Sequence, residues 1–317
     1  MANLKIGIVG FGYWGKNQAR VFDELGVLEG IYEKNLSLSK GYKKKYKFFQ
    51  SYKQLLTSVD AVVICTPAKT HFKLAKEALE KVDVLVEKPI ALNMKEVREI
   101  EKISKKNKKI VMVGHQLHFH PAVKKMKNLI ENGTIGDLKY AYSNRLNLGK
   151  IRPNENVLWS FAPHDISLIL DFIKSDIKKI DVQSNKVFNN KIEDTTLTLI
   201  KFSNNINAHI FVSWIHPFKE QRFTIVGNKG SLVFSDTEKN KLRLYNTEIN
   251  KKTKSIDSHT SKVIKIGNKE PLKEQGIYFL QCLKKRKIEI NDINHAYKVV
   301  SFLEKCSNKI KQENKND

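Results

Sequence analysis

Along the first third of the chain, short apolar runs alternate with stretches whose apolar residues recur every three or four positions. The runs Leu4–Val9, Val27–Tyr32, Ala61–Cys65, Val82–Val86 and Ile110–Val113 predict strands. The stretches between them predict helices over Asn17–Leu25, Ser37–Tyr46, Tyr52–Thr57, Phe72–Glu80 and Met94–Lys105. Strand and helix in alternation predict an α/β unit with a doubly wound parallel sheet, whose ligands lie at the carboxyl ends of the strands. After Pro121 the rhythm changes. A helix over Ala122–Asn132 leads into strand-like runs at Leu138–Leu148, Ile180–Phe188, Thr195–Phe202, Ala208–Trp214, Phe223–Val226 and Gly230–Phe234. One helix, His164–Phe172, interrupts them. Consecutive strands separated by turn residues imply a C-terminal α+β unit with an open, largely antiparallel or mixed sheet. Late helices at Gln275–Lys284 and His295–Ile310 are expected to pack back on the first unit. The polar stretch Asn246–Ser261 reads as a mobile loop, and the tail Lys311–Asp317 as a frayed end.

The first strand runs into Gly10-Phe11-Gly12-Tyr13-Trp14-Gly15. A G-x-G-x-x-G turn between a strand and a helix makes a phosphate cradle. Gly10 permits the tight turn, Gly12 lets a pyrophosphate approach the backbone, and Gly15 lets the helix pack on the strand. The helix start then presents free N–H groups and a favourable dipole to the anion. The second strand ends in Glu33, about 23 residues after Gly10, where a carboxylate would hold the adenosine ribose. Residues 1–120 therefore read as a dinucleotide-binding Rossmann domain, and 121–317 as a substrate-binding and oligomerisation domain. A carboxylate at Glu33 repels a 2′-phosphate and favours NAD, although Lys34 beside it pulls the other way.

Composition changes little of this. The 317 residues suffice for two domains, and a hydrophobic share of 41% is ordinary for a soluble chain. No apolar run is long enough to cross a bilayer. The first strand begins at Leu4 and leaves no room for a secretory signal, so a cytoplasmic location is expected. Cys65, Cys282 and Cys306 are odd in number and far apart, as reduced thiols are. The net charge of +24 raises nucleic-acid binding as a class. Its lysines are spread along the chain without interleaved aromatics, which reads as a solvated surface and no nucleic-acid partner.

The glycine turn, Thr66-Pro67…His71, the triplet Glu87-Lys88-Pro89 and the late segment Trp159-Ser160-Phe161-Ala162-Pro163-His164-Asp165 together resemble the Gfo/Idh/MocA oxidoreductases. The segment from Asn147 to Ser167, with Lys150, Arg152 and Trp159, resembles the nucleotide-sugar branch of that family. That likeness implies oxidation of the C3 hydroxyl of UDP-N-acetylglucosamine to a ketone, ahead of amination by a PLP aminotransferase. It also implies a homodimer or homotetramer. Cofactor contacts are implied at Gly10, Phe11, Gly12, Tyr13, Trp14, Gly15, Glu33, Thr66, Pro67, His71, Glu87, Lys88 and Gln116. Where many relatives carry an aspartate four residues before the histidine, this chain has Ser160.

Alcohol oxidation needs a hydride acceptor, a base for the hydroxyl proton and a group that holds the oxygen as the carbonyl forms. Lys88 at a strand end and His164 are the catalytic candidates. A buried lysine beside a positive cofactor loses pKa and can act as base, or it can stay charged and hold the oxygen. His164 titrates near neutrality and suits the base role, with Lys88 as orienting cation. Lys88, Arg145, Arg152, Trp159, His164 and Asp165 are the substrate candidates. Plainer readings stand beside them: Asp165 as a helix cap, Trp159 as core, and Arg145 and Arg152 as solvated side chains. His115, His118 and His120 cluster in sequence, but no carboxylate or thiol joins them at ligand spacing, so no metal is expected. A non-catalytic NAD-binding sensor and a dehydrogenase for another sugar or polyol remain alternatives.

Overall fold

A computed structural model describes residues 4–149, 151–152, 155–188, 191–249 and 256–316. The chain divides into two compact units, residues 1–116 with 270–301, and residues 117–269 with 302–317. The division falls inside the last helix.

The first unit is built on five parallel strands: β1 (Ile6–Val9), β2 (Leu28–Tyr32), β3 (Ala61–Ile64), β4 (Asp83–Val86) and β5 (Val111–Val113). Their order is β2-β1-β3-β4-β5, so the connection reverses direction between β1 and β3. Strands β1, β3, β4 and β5 are buried throughout, as near-continuous apolar runs in a parallel sheet must be. Helices α1 (Tyr13–Glu24), α2 (Tyr52–Leu56), α3 (His71–Ala78) and α4 (Met94–Lys106) connect them. Asn93 caps α4, its side chain accepting from the Glu96 N–H. Of the late helices, α7 (Pro271–Lys285) packs on α1, where Gly276 lies against Val21, Phe22 and Leu25.

The expected helix over Ser37–Tyr46 is absent. Only a 3-10 turn, Leu36–Ser39, forms, and Gly41 at φ +81° breaks the run. Tertiary packing accounts for the difference. Tyr42, Tyr46 and Phe48 meet the buried Phe11 ring edge-on at 5.1, 6.0 and 5.3 Å. Phe48 also bridges in parallel to Ile31 on the outer side of β2. These aromatics cover the Phe11 ring beneath the glycine turn.

The second unit holds an eight-stranded mixed sheet in the order β13-β12-β11-β10-β6-β9-β8-β7. The strands are β6 (Leu138–Leu148), β7 (Ile177–Asn185), β8 (Thr195–Phe202), β9 (Asn207–Ser213), β10 (Ile215–Gly227), β11 (Gly230–Ser235), β12 (Leu242–Ile249) and β13 (Ile256–Val263). Among the described residues of this sheet only β6 and β9 pair in parallel; the other neighbours are antiparallel. Helix α5 (Pro121–Glu131) and α6 (Val157–Phe172) complete this unit, with part of α8 (Ile293–Asn316).

Two sequence expectations fail in this unit. The stretch Asn246–Ser261 is largely the β12–β13 hairpin, with Tyr245 stacked on His259; residues 250–255 lie outside the described residues. The apolar alternation of β12, Leu242 and Leu244, ends before this stretch, and the residues that follow are largely polar. The tail does not fray early: α8 runs to Asn316, and Asp317 lies outside the described residues.

Candidate active site

The glycine turn is shaped by contacts on three sides. Gly10 sits at φ +91°, and a Cβ there would lie 2.8 Å from Thr66 Cγ2. A Cβ at Gly15 would lie 2.0 Å from the Gly10 carbonyl oxygen, so only glycine permits α1 to start so close to β1. A Cβ at Gly12 would meet nothing within 4 Å. Gly12 is the N-cap of α1, without a side-chain cap bond and without an acid in the first turn. Open space over the turn and N–H groups at a helix start suit a pyrophosphate. Glu33 closes the turn from β2: its Oε2 accepts from the Phe11 N–H, and its Oε1 from the Asn35 N–H. These residues fit NAD. Helix α1 begins four residues before the expected Asn17, so Tyr13, Trp14 and Gly15 are its first turn. Tyr13 is 77% exposed there, its ring edge-on to Trp14.

Lys88 follows β4, between two anchored neighbours. Glu87 points inward: Gln18 Nε2 on α1 donates to its Oε1 at 3.0 Å, and its Oε2 would lie 3.0 Å from any Cβ at Gly114. Burial pushes the Glu87 carboxyl above its ordinary range, against the Gln18 hydrogen bond and the Lys88 charge. On the other side Pro89 is buried, and its carbonyl lies 2.7 Å from His71 Nδ1. His71 Nε2 lies 2.7 Å from the Thr66 carbonyl. The ring expected to touch cofactor is instead 1% exposed and engaged with backbone. Thr66 and Pro67 lie at the mouth of β3, and Gln116 opens a 3-10 turn after β5.

In the second unit the candidates gather on α6. This helix begins at Val157, seven residues before the expected start, because Asn156 caps it. The Asn156 Oδ1 accepts from the Trp159 N–H, and its Nδ2 donates to Glu193. Pro163 lies inside the helix and costs one backbone bond, while buried Val157, Leu158, Ala162, Ile166 and Ile169 hold the helix on the sheet. His164 and Ser160 therefore sit one turn apart on one face. Asp165 is mid-helix and caps nothing, which corrects that reading. It is 1% exposed and accepts from Ser143 Oγ, from Arg145 Nε at 2.7 Å and from Arg145 Nη2 at 3.0 Å. Two separate substrate candidates are thus each other's ion-pair partner, joining α6 to β6. Trp159 is half-buried, its Nε1–H donating to Ser307 Oγ at 2.8 Å. Arg152 is exposed and pairs with Glu155; Lys150 lies outside the described residues.

The three neighbouring histidines diverge. His115 packs edge-on to His295, His118 Nε2 lies 2.6 Å from Ser167 Oγ, and His120 Nδ1 accepts from the Ala122 N–H. Among the described residues no three His, Cys, Asp or Glu side chains group as metal ligands.

Residues 4–115 match the oxidoreductase family with an NAD-binding Rossmann fold, and residues 123–233 match the Gfo/Idh/MocA C-terminal domain. The chain belongs to the Gfo/Idh/MocA oxidoreductase family. Residues 4–115 thus carry an NAD-binding Rossmann fold. Among relatives of this family member, UDP-N-acetylglucosamine 3-dehydrogenase of Acidithiobacillus ferrooxidans is 27% identical over 188 residues, 58% of each chain. The match thus spans just over half of that relative's length. A solved structure of the same enzyme superposes with a TM-score of 0.85 at 20% identity, covering 96% of both chains. Myo-inositol 2-dehydrogenase of Thermotoga maritima is 24% identical over 257 residues, 74% of this chain and 75% of that one. Levoglucosan dehydrogenase in complex with NADH gives a TM-score of 0.84 at 18% identity over 98% of both chains. Structural likeness at such identity shows the fold.

Three residues of this oxidoreductase carry roles that sequence reasoning missed. Gln18 holds Glu87, and the signal for it was a polar residue on the inward stripe Gly15, Gln18, Ala19 and Phe22 of α1. Asn156 and Glu193 fix the start of α6, and nothing local in the sequence joins them. No helix among the described residues is long and apolar enough to cross a membrane.

Proposed function

We propose that this chain is an NAD-dependent sugar dehydrogenase that oxidises the C3 hydroxyl of UDP-N-acetylglucosamine to the 3-keto sugar. The observation that carries the reading is the placement of Lys88 at the carboxyl end of β4, between an anchored Glu87 and an anchored Pro89, in the sheet whose glycine turn takes NAD. The anchored neighbours fix the backbone from which the Lys88 side chain leaves. The Acidithiobacillus relative supports the choice of sugar.

Bound NAD supplies the hydride acceptor. His164, near the middle of α6, takes the hydroxyl proton. Lys88 holds the substrate oxygen by charge as the carbonyl forms. Ser160 stands one turn earlier, where many relatives carry an acid, and proton transfer is assigned here to the imidazole itself. Trp159 lines the sugar site. Arg145 and Asp165 serve it indirectly, by holding α6 to β6. A PLP aminotransferase consuming the ketone would draw an uphill oxidation forward. The protein works as a homodimer or homotetramer in the cytoplasm.

The test is NADH formation with UDP-N-acetylglucosamine in the presence of a ketone trap. Activity that vanishes in Lys88→Ala, with NAD binding retained, is the expected result. The longer match to myo-inositol 2-dehydrogenase favours a second reading, oxidation of a free polyol. Turnover of myo-inositol but of no nucleotide sugar would establish it. NAD binding without turnover of either substrate would leave a non-catalytic sensor.

A further inference from the structure

We infer that His71 is a positioning residue for Lys88, acting as a doubly protonated imidazolium that clamps the two strand-end loops on either side of the parallel sheet's β3–β4 mouth. Its Nδ1 lies 2.7 Å from the Pro89 carbonyl oxygen and its Nε2 lies 2.7 Å from the Thr66 carbonyl oxygen. A backbone carbonyl only accepts hydrogen bonds, and a neutral imidazole carries one N–H. A neutral ring would therefore set one nitrogen lone pair against an oxygen lone pair at hydrogen-bond distance, in a site 1% exposed where water cannot intervene. Two N–H donors resolve both contacts, and charge-assisted bonds are the shorter and stronger kind. The start of α3, where His71 sits, opposes a cation through its dipole. Burial opposes the cation too, and the two carbonyl oxygens at 2.7 Å are what offset both costs.

The clamp links two sites. Thr66 packs its Cγ2 under Gly10 of the phosphate turn, and its hydroxyl accepts from Thr70 Oγ1. Pro89 is bonded directly to Lys88. One ring thus ties the glycine turn, through Thr66, to the backbone that carries the lysine. The role rests on the proposed function only in that Lys88 is the group being positioned; the ring's protonation stands on the first unit alone.

The native full chain, labelled with nitrogen-15 and carbon-13, decides the protonation without any variant. The His71 resonances are assigned by correlation through the hydrogen bond to the Pro89 carbonyl carbon. Two protonated ring nitrogens at neutral pH are expected, and a single N–H overturns the clamp. Kinetics decide the positioning. His71→Asn keeps one donor, and a displacement of ~1 Å at a reacting group is worth ~100-fold in rate, so kcat should fall by about that factor with NAD affinity unchanged. The same substitution placed on Lys88→Met should add almost nothing, because coupled residues are not additive. Equal losses in both backgrounds, or an unchanged kcat in His71→Asn, overturn the positioning role. A fully active Lys88→Met instead refutes the assignment of Lys88, while the spectrum still decides the clamp.

Discussion

Arg145 and Asp165 form a two-point ion pair, with Arg145 Nε 2.7 Å from Asp165 Oδ2 and Nη2 3.0 Å from Oδ1. The Arg145 side chain is 14% exposed and that of Asp165 1%. Ser143 supplies a further donor to the same carboxylate. The pair crosses from β6 to the helix that carries His164. A buried pair stabilises little relative to apolar residues of the same shape, but losing one partner strands the other charge. Arg145→Ala should therefore cost about 3–5 kcal/mol, read from the urea midpoint, while Arg145→Met with Asp165→Leu should cost much less. Equal stability of Arg145→Ala and the wild type would show that the carboxylate finds another partner.

Gly12 and Gly15 should separate binding from folding. A Cβ at Gly15 strikes the Gly10 carbonyl oxygen at 2.0 Å, so Gly15→Ala forces α1 away from β1 and should destabilise by ~1–3 kcal/mol. A Cβ at Gly12 enters open space. Gly12→Ala should melt with the wild type yet bind NAD weakly, because the methyl occupies the ground of the pyrophosphate. Thermal melting with and without NAD measures both variants.

Glu33 can be tested for a second role beside its hydrogen bond to the glycine turn. Its Oε2 accepts from the Phe11 N–H in the glycine turn, and a carboxylate at this position also repels a 2′-phosphate. Glu33→Ala should lower NAD affinity and narrow the preference for NAD over NADP, by calorimetry with each dinucleotide. An unchanged ratio would remove the residue from ribose recognition.

The pH dependence of Glu87 has a definite sign. Burial raises its carboxyl above the ordinary 4.5, against the Gln18 hydrogen bond and Lys88. The folded state therefore holds the proton more tightly than the unfolded chain. The stability contribution is fully present below 4.5 and is lost as pH rises through the folded value. Glu87→Gln keeps the acceptor for Gln18 and sheds the charge. Its stability relative to the wild type should increase from below 4.5 to neutral pH, as denaturant midpoints across that range would show. A flat difference would mean that Lys88 fully compensates the buried charge.

The chain alone determined the parallel unit, the mixed-sheet unit, the NAD cradle and the family, because each rests on local order. Buried strands read as apolar runs, and G-x-G-x-x-G is a turn whose geometry is set within a few residues. Tertiary structure decided the rest, because it depends on residues far apart in sequence. The Ser37–Tyr46 segment gave up helix to cover Phe11, which only a folded β2 edge brings near. Asn156 and Glu193 moved the start of α6 back to Val157, and Pro163 was tolerated because the helix was already held on the sheet. Asp165 and Arg145 became partners because β6 lies beside α6. His71 came to lie against two backbone carbonyls once β3 and β4 were side by side. A sequence states which groups are present; their pairing is set by which strands become neighbours.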